Sequence, residues 1–88
     1  MNTQPLAKAF PPWLVECAEV PGVVVDQYVR DLGSATARIY AGGFVFDIEV
    51  EGDNARAVVA WKRVSGIATP ADIAPAIRRA LGVQDAPV

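Results

Sequence analysis

An α+β fold is expected from three observations. Short β-rich runs punctuated by Gly, Asp and Asn fill the middle of the chain, proline-initiated helical stretches flank them, and 88 residues suffice for only one hydrophobic core. With 52% apolar against 20% charged residues the chain is not compositionally disordered. The expected architecture is two-layer, α-β-β-β-β-α: a four-stranded antiparallel meander with an N-terminal and a C-terminal helix packed on one face. Residues 1–88 form a single domain, with 1–5 and 83–88 as loose ends and a short turn around Leu6, Ala9 and Phe10. There is no internal repeat and no linker.

Pro11-Pro12 blocks helix upstream and pre-sets φ downstream, so a short helix is expected from Trp13 to Glu19 with Pro12 at its first position. Trp13, Leu14, Cys17 and Ala18 share one face at helical spacing and form its core stripe. Pro21-Gly22 ends it.

Four strands follow, over Val23–Arg30, Ala35–Ala41, Phe44–Glu51 and Ala55–Val64. A two-residue turn at Gly42-Gly43 opposes Ile39 to Phe46, Ala37 to Ile48 and Ala35 to Val50 on one face. Its other face receives Tyr40 with Val45, Arg38 with Asp47 and Thr36 with Glu49. A turn centred on Asp53-Asn54 opposes Phe46 to Trp61, Ile48 to Val59 and Val50 to Ala57, with Glu51 against Arg56 and Val45 against Lys62 behind. Both turns make the same face apolar, and a one-residue slip would set aromatics beside charges. The buried face is then Ile39, Phe44, Phe46, Ile48, Val50, Val59 and Trp61.

Thr69-Pro70-Ala71-Asp72 reads as a helix start, with Thr as N-cap, Pro at the first position and an acid in the first turn. Pro75 lacks an N–H, so either a kink or a one-turn lead-in precedes the main helix Pro75–Leu81. Ile73, Ile77, Ala80 and Leu81 form its inward stripe, Arg78 and Arg79 point outward, and Gly82 follows the last turn.

Composition narrows the chemistry. The chain has no His and one Cys, which removes the usual neutral-pH base, the commonest metal ligand and any intrachain disulfide. No metal and no cofactor is expected. Cys17 lies between Glu16 and Glu19 in an apolar stretch and reads as core filler. Asp47 and Glu49 share one face of an open strand, without a pocket to desolvate either, so they read as surface charges and no catalytic residue is assigned. The glycines belong to turns, not to a phosphate loop. No signal-peptide or membrane-spanning pattern occurs near the start, which places the protein in the cytoplasm by default.

Net charge is −2, divided unevenly: residues 1–53 carry eight acids against three bases, and residues 54–84 carry five bases against one acid. Pairing of acidic with basic strands accounts for that division without a ligand. The helix-sheet-helix order is similar in coarse topology to the double-stranded-RNA-binding domain. That family grips phosphates with a lysine-rich start to its final helix, whereas this helix opens Thr69-Pro70-Ala71-Asp72. Nucleic acid is therefore a minor expectation.

The outer sheet face is the expected functional surface. It carries Arg38, Tyr40, Val45, Asp47, Glu49, Arg56, Val58, Ala60 and Lys62, an apolar strip rimmed by mixed charges. Arg78 and Arg79 at the end of the last helix are further candidates. The leading expectation is a small non-enzymatic domain that docks on a partner protein as an accessory, adaptor or inhibitor, a role such stand-alone domains often fill in phages and mobile elements. The alternative is a self-associating module, a homodimer through the outer face or the first strand, although Asp26 and Arg30 weaken that strand as a pairing edge.

Overall fold

The computed structural model describes residues 10–82. The elements run α1 (Pro12–Ala18), β1 (Val24–Asp31), β2 (Ser34–Ala41), β3 (Phe44–Glu51), β4 (Asn54–Val59), β5 (Lys62–Arg63), a 3₁₀ turn (Pro70–Asp72) and α2 (Ile73–Leu81). The strands form one antiparallel sheet in chain order. The sheet thus has five strands, not four. The expected end segments 1–5 and 83–88, and Leu6 and Ala9 of the expected early turn, lie outside the described residues. No helix among the described residues is long and apolar enough to cross a membrane.

Pro12 opens α1 where a helix has no use for an N–H, and Trp13, Leu14 and Cys17 point into the core. Ala18, expected on that face, is exposed; Val20, just past the helix, is buried instead. Phe10 and Trp13 meet the ring of Tyr28 edge-on at 5.6 and 6.4 Å, which fastens α1 to β1. The inner sheet face supplies Ala37, Ile39, Ala41, Phe46, Ile48, Val50 and Ala57, and α2 supplies Ile73, Ala74 and Ile77, so both helices share one cluster with one side of the sheet.

β2 and β3 pair in the register read from the Gly42-Gly43 turn, with Ile39 opposite Phe46 and Arg38 opposite Asp47. Both turn glycines have positive φ, the requirement of a primed two-residue hairpin. The next hairpin differs from expectation. Its turn is centred on Gly52-Asp53, because Gly52 at φ +59° takes the left-handed position more cheaply than Asp53 or Asn54 could. Phe46 therefore lies opposite Val59, Ile48 opposite Ala57, Val50 opposite Ala55 and Glu49 opposite Arg56. The shift is two residues, so the faces keep their identity while the partners change.

That shift removes Trp61 from the core. In this register β4 ends with Val59 opposite Phe46, so Trp61 lies beyond the last paired residue and Phe44 is left half-exposed. The chain reverses at Ala60-Trp61, and β5 folds back with Lys62 opposite Val59 and Arg63 opposite Val58. Lys62 consequently leaves the outer face, and Arg63 stands beside Val58 in its stead.

The final helix adopts the lead-in form. A 3₁₀ turn precedes Ile73, so Pro75 sits third in α2, where its missing N–H breaks no helical hydrogen bond. Ile73 and Ile77 are buried as expected and Leu81 is half-buried, but Ala74 and Ala76 are also buried while Ala80 is exposed. Arg78, expected to point outward, is half-buried near Cys17.

The Asp72 carboxylate ties down this helix start, accepting hydrogen bonds from the Thr69 N–H at 2.9 Å, the Ala68 N–H at 3.1 Å and the Thr69 hydroxyl at 3.1 Å. The Thr69 N–H, then the Ala68 N–H and the Thr69 hydroxyl, hold its pKa below the ordinary carboxylate value. A depressed pKa contributes stability that is complete above the unfolded value of about 4 and is lost as pH falls through the folded value. Asp72→Asn should therefore melt below the native protein at neutral pH, with the gap closing below about pH 4. Parallel melts across pH check this; a gap that persists unchanged into strong acid contradicts it.

Cys17 sits fully inside the cluster. Burial foremost, then the Glu16 carboxylate, pushes its thiol up to about 12, against a smaller downward pull from Arg78. The native protein should accordingly be inert to a thiol-disulfide reagent at pH 8 and react fully in urea. Rapid native labelling would show an opened α1.

Candidate functional site

Face residues on a sheet are set by register, so the outer surface can be followed row by row from the pairings. The end row holds Val24, Tyr40 and Val45, directly opposed across β1, β2 and β3. The next holds Gln27, Arg38, Asp47, Val58 and Arg63, and the third Val29, Thr36, Glu49 and Arg56. The last holds Asp31, Ser34, Glu51 and Asn54.

The two middle rows are bound internally. Arg38 Nε donates to Asp47 Oδ1 at 2.9 Å, which raises the Arg38 pKa further, and Arg56 pairs with Glu49. All four are solvent-exposed, where water and salt screen such cross-strand pairs, so they add little to stability. Their main effect is to mask one another's charge. Beside them Glu49, Glu51, Arg56 and Arg63 line an open groove of about 410 Å³ with Ile67 and Ala68.

The apolar end row is different. Val24 is 54%, Tyr40 42% and Val45 39% exposed, and half-exposed Phe44 adjoins them at the start of β3. The β4–β5 turn lies at this same end of the sheet, since β4 ends at Val59, opposite Phe46 near the start of β3. Trp61 is 98% exposed at its tip.

Backbone conformation at that tip is costly. Ala60 has φ 51° and Trp61 φ 69°, the two positive values among non-glycine described residues. Left-handed backbone costs an L-residue roughly 1–2 kcal/mol. A two-residue primed turn favours Asn-Gly for that reason. Here the chain places Ala and its largest side chain where Gly would relax the turn.

Of the residues singled out from sequence, Tyr40 and Val45 lie in the apolar end row, and Arg38, Asp47 and Val58 in the row beside it. Glu49 and Arg56 stand one row farther off. Lys62 is exposed on the β5 edge, on the Val59 side. Arg78 and Arg79 belong to α2, on the opposite side of the sheet; the Arg79 guanidinium lies against Gly66, with Nη2 2.5 Å from where a Cβ at Gly66 would stand. The structure therefore does not join the α2 arginines to the outer face.

Three residues were missed. Val24 joins the end row because a bulge between Val25 and Gln27 resets the β1 alternation. Arg63 and Trp61 follow from the Ala60-Trp61 reversal, which carries none of the usual turn residues. Comparison with protein-family models, with curated proteins and with solved structures found no match to this chain.

Proposed function

We propose that this is a small non-enzymatic domain that docks onto a partner protein through the end of the sheet bearing Trp61, Val24, Tyr40 and Val45. The observation that carries this reading is Trp61: a fully presented indole on a turn whose backbone is strained to hold it. Trp, Tyr and Arg dominate the binding energy of protein interfaces, where a large rigid ring enters a pocket and a polar rim excludes water. Arg38, Asp47 and Arg63 in the neighbouring row supply that rim. The domain acts by occupying a surface of its partner, as an accessory, adaptor or inhibitor protein does.

Tyr40→Ala tests the second anchor. Truncating a central interface tyrosine costs about 2 kcal/mol or more of affinity, roughly 30-fold, whereas an exposed strand position should leave the thermal melt nearly unchanged. Retained affinity would remove the end row from the interface. Collapse of the fold would show that Tyr40 serves packing.

A further inference from the structure

The two edges of the sheet are unlike. β5 is two residues long and both are cationic, features that discourage strand addition. β1 is eight residues long and, among the described residues, pairs with β2 alone. Its hairpin closes through the two-residue turn Leu32-Gly33, between Asp31 and Ser34. Residues flanking such a turn exchange backbone hydrogen bonds and the ladder alternates from there. Asp31, Val29 and Gln27 thus bond to β2, while Tyr28 and Arg30 direct their N–H and C=O groups to the open side.

Beyond the bulge at Asp26, residues Gln27 to Asp31 run in regular alternation. Gln27, Val29 and Asp31 take the outer face; Tyr28 and Arg30 take the inner. Two identical antiparallel edges pair about a two-fold axis normal to the sheet, which opposes like faces and leaves few registers. Centring on Arg30 sets guanidinium against guanidinium, and centring on Tyr28 draws the bulged Asp26 into the ladder. Centring on Val29 is complementary throughout. Val29, 53% exposed, meets Val29 of the second copy; the Tyr28 ring meets the Arg30 cation; the Gln27 amide meets the Asp31 carboxylate.

We propose that β1 is a self-pairing edge, on which two copies of this chain join antiparallel about Val29 to make one ten-stranded sheet. On the inner side the Tyr28 ring, held edge-on by Trp13 at 6.4 Å, is the aromatic surface that Arg30 of the second copy meets. The surface is separate from the Trp61 end and stands whether or not that end docks a partner.

Sedimentation of the full chain across a concentration series tests the proposal, with the average mass expected to rise toward that of a dimer. Val29→Lys sets two cations together on the axis and should weaken the dimer tenfold or more. Arg30→Pro removes an N–H that faces the open side, so the hairpin keeps its own ladder while the dimer is lost. Val29→Cys should crosslink under mild oxidation, since the opposed positions are a close non-hydrogen-bonded pair and Cys17 is sealed in the core. Thr36→Cys, exposed on the interior strand β2, should not. Trp61→Ala should leave the dimer intact. A chain that stays monomeric into the high micromolar range overturns the proposal. So does a dimer that Val29→Lys leaves unchanged, or one that Trp61→Ala abolishes.

Discussion

Phe46→Ala is expected to abolish cooperative folding. Phe46 is 1% exposed, opposed to Ile39 on one side and Val59 on the other, and belongs to the cluster shared by both helices. Truncating a buried phenylalanine costs about 3–5 kcal/mol, the lost transfer energy plus the cavity left behind. Small domains hold roughly 5–15 kcal/mol in total, and one of this size sits toward the lower end. Phe46→Leu keeps most of the volume and should lose about 1.5 kcal/mol or less. Urea titrations of the two variants separate the cases: a shifted but cooperative transition for Leu, and none for Ala. A cooperative Ala variant close to native stability would mean that the sheet–helix interface is not the main source of stability.

The second large effect concerns the β4–β5 turn. Replacing Ala60 by Asn and Trp61 by Gly supplies the residues that two successive left-handed positions favour. Relief of the backbone strain, reduced by the extra freedom glycine gives the unfolded chain, should stabilise the protein by about 1–2 kcal/mol. For a chain of this length that raises the melting temperature by roughly 4–8 °C per kcal/mol. The same change should remove partner binding, because it deletes the indole. Stability and binding moving in opposite directions is the signature of a residue kept for contact rather than for folding. A fall in stability would instead make Trp61 a packing residue, and the docking reading would lose its anchor.

What the sequence disclosed and what it hid divide along physical lines. Gly42-Gly43 admits one tight turn and flanks it with alternating residues, so the β2–β3 register followed from counting. Gly52-Asp53-Asn54 offers two turn centres, and the choice between them moves every partner of the following strand by two residues without changing a face. Alternation alone is blind to such a shift. Val58-Val59-Ala60-Trp61-Lys62 continues a strand pattern, and nothing in Ala60-Trp61 announces a reversal; the fifth strand and the exposure of Trp61 were both hidden there. The bulge at Asp26 hid Val24 and Val29 for a related reason, since one extra residue resets which side chains share a face. Of the candidate site, Tyr40 and Val45 were legible because they depend on the Gly42-Gly43 register. Trp61 was not, because its position depends on the turn that sequence leaves open.

The most direct measurement is capture from native cell lysate by the tagged protein after nuclease treatment, run beside the Ala60→Asn, Trp61→Gly variant whose folding is verified by its melt. The expected result is a stoichiometric protein band held by the native chain and missing from the better-folded variant. A band held equally by both, a haul that disappears with nuclease, or no saturable capture at all would contradict docking through Trp61.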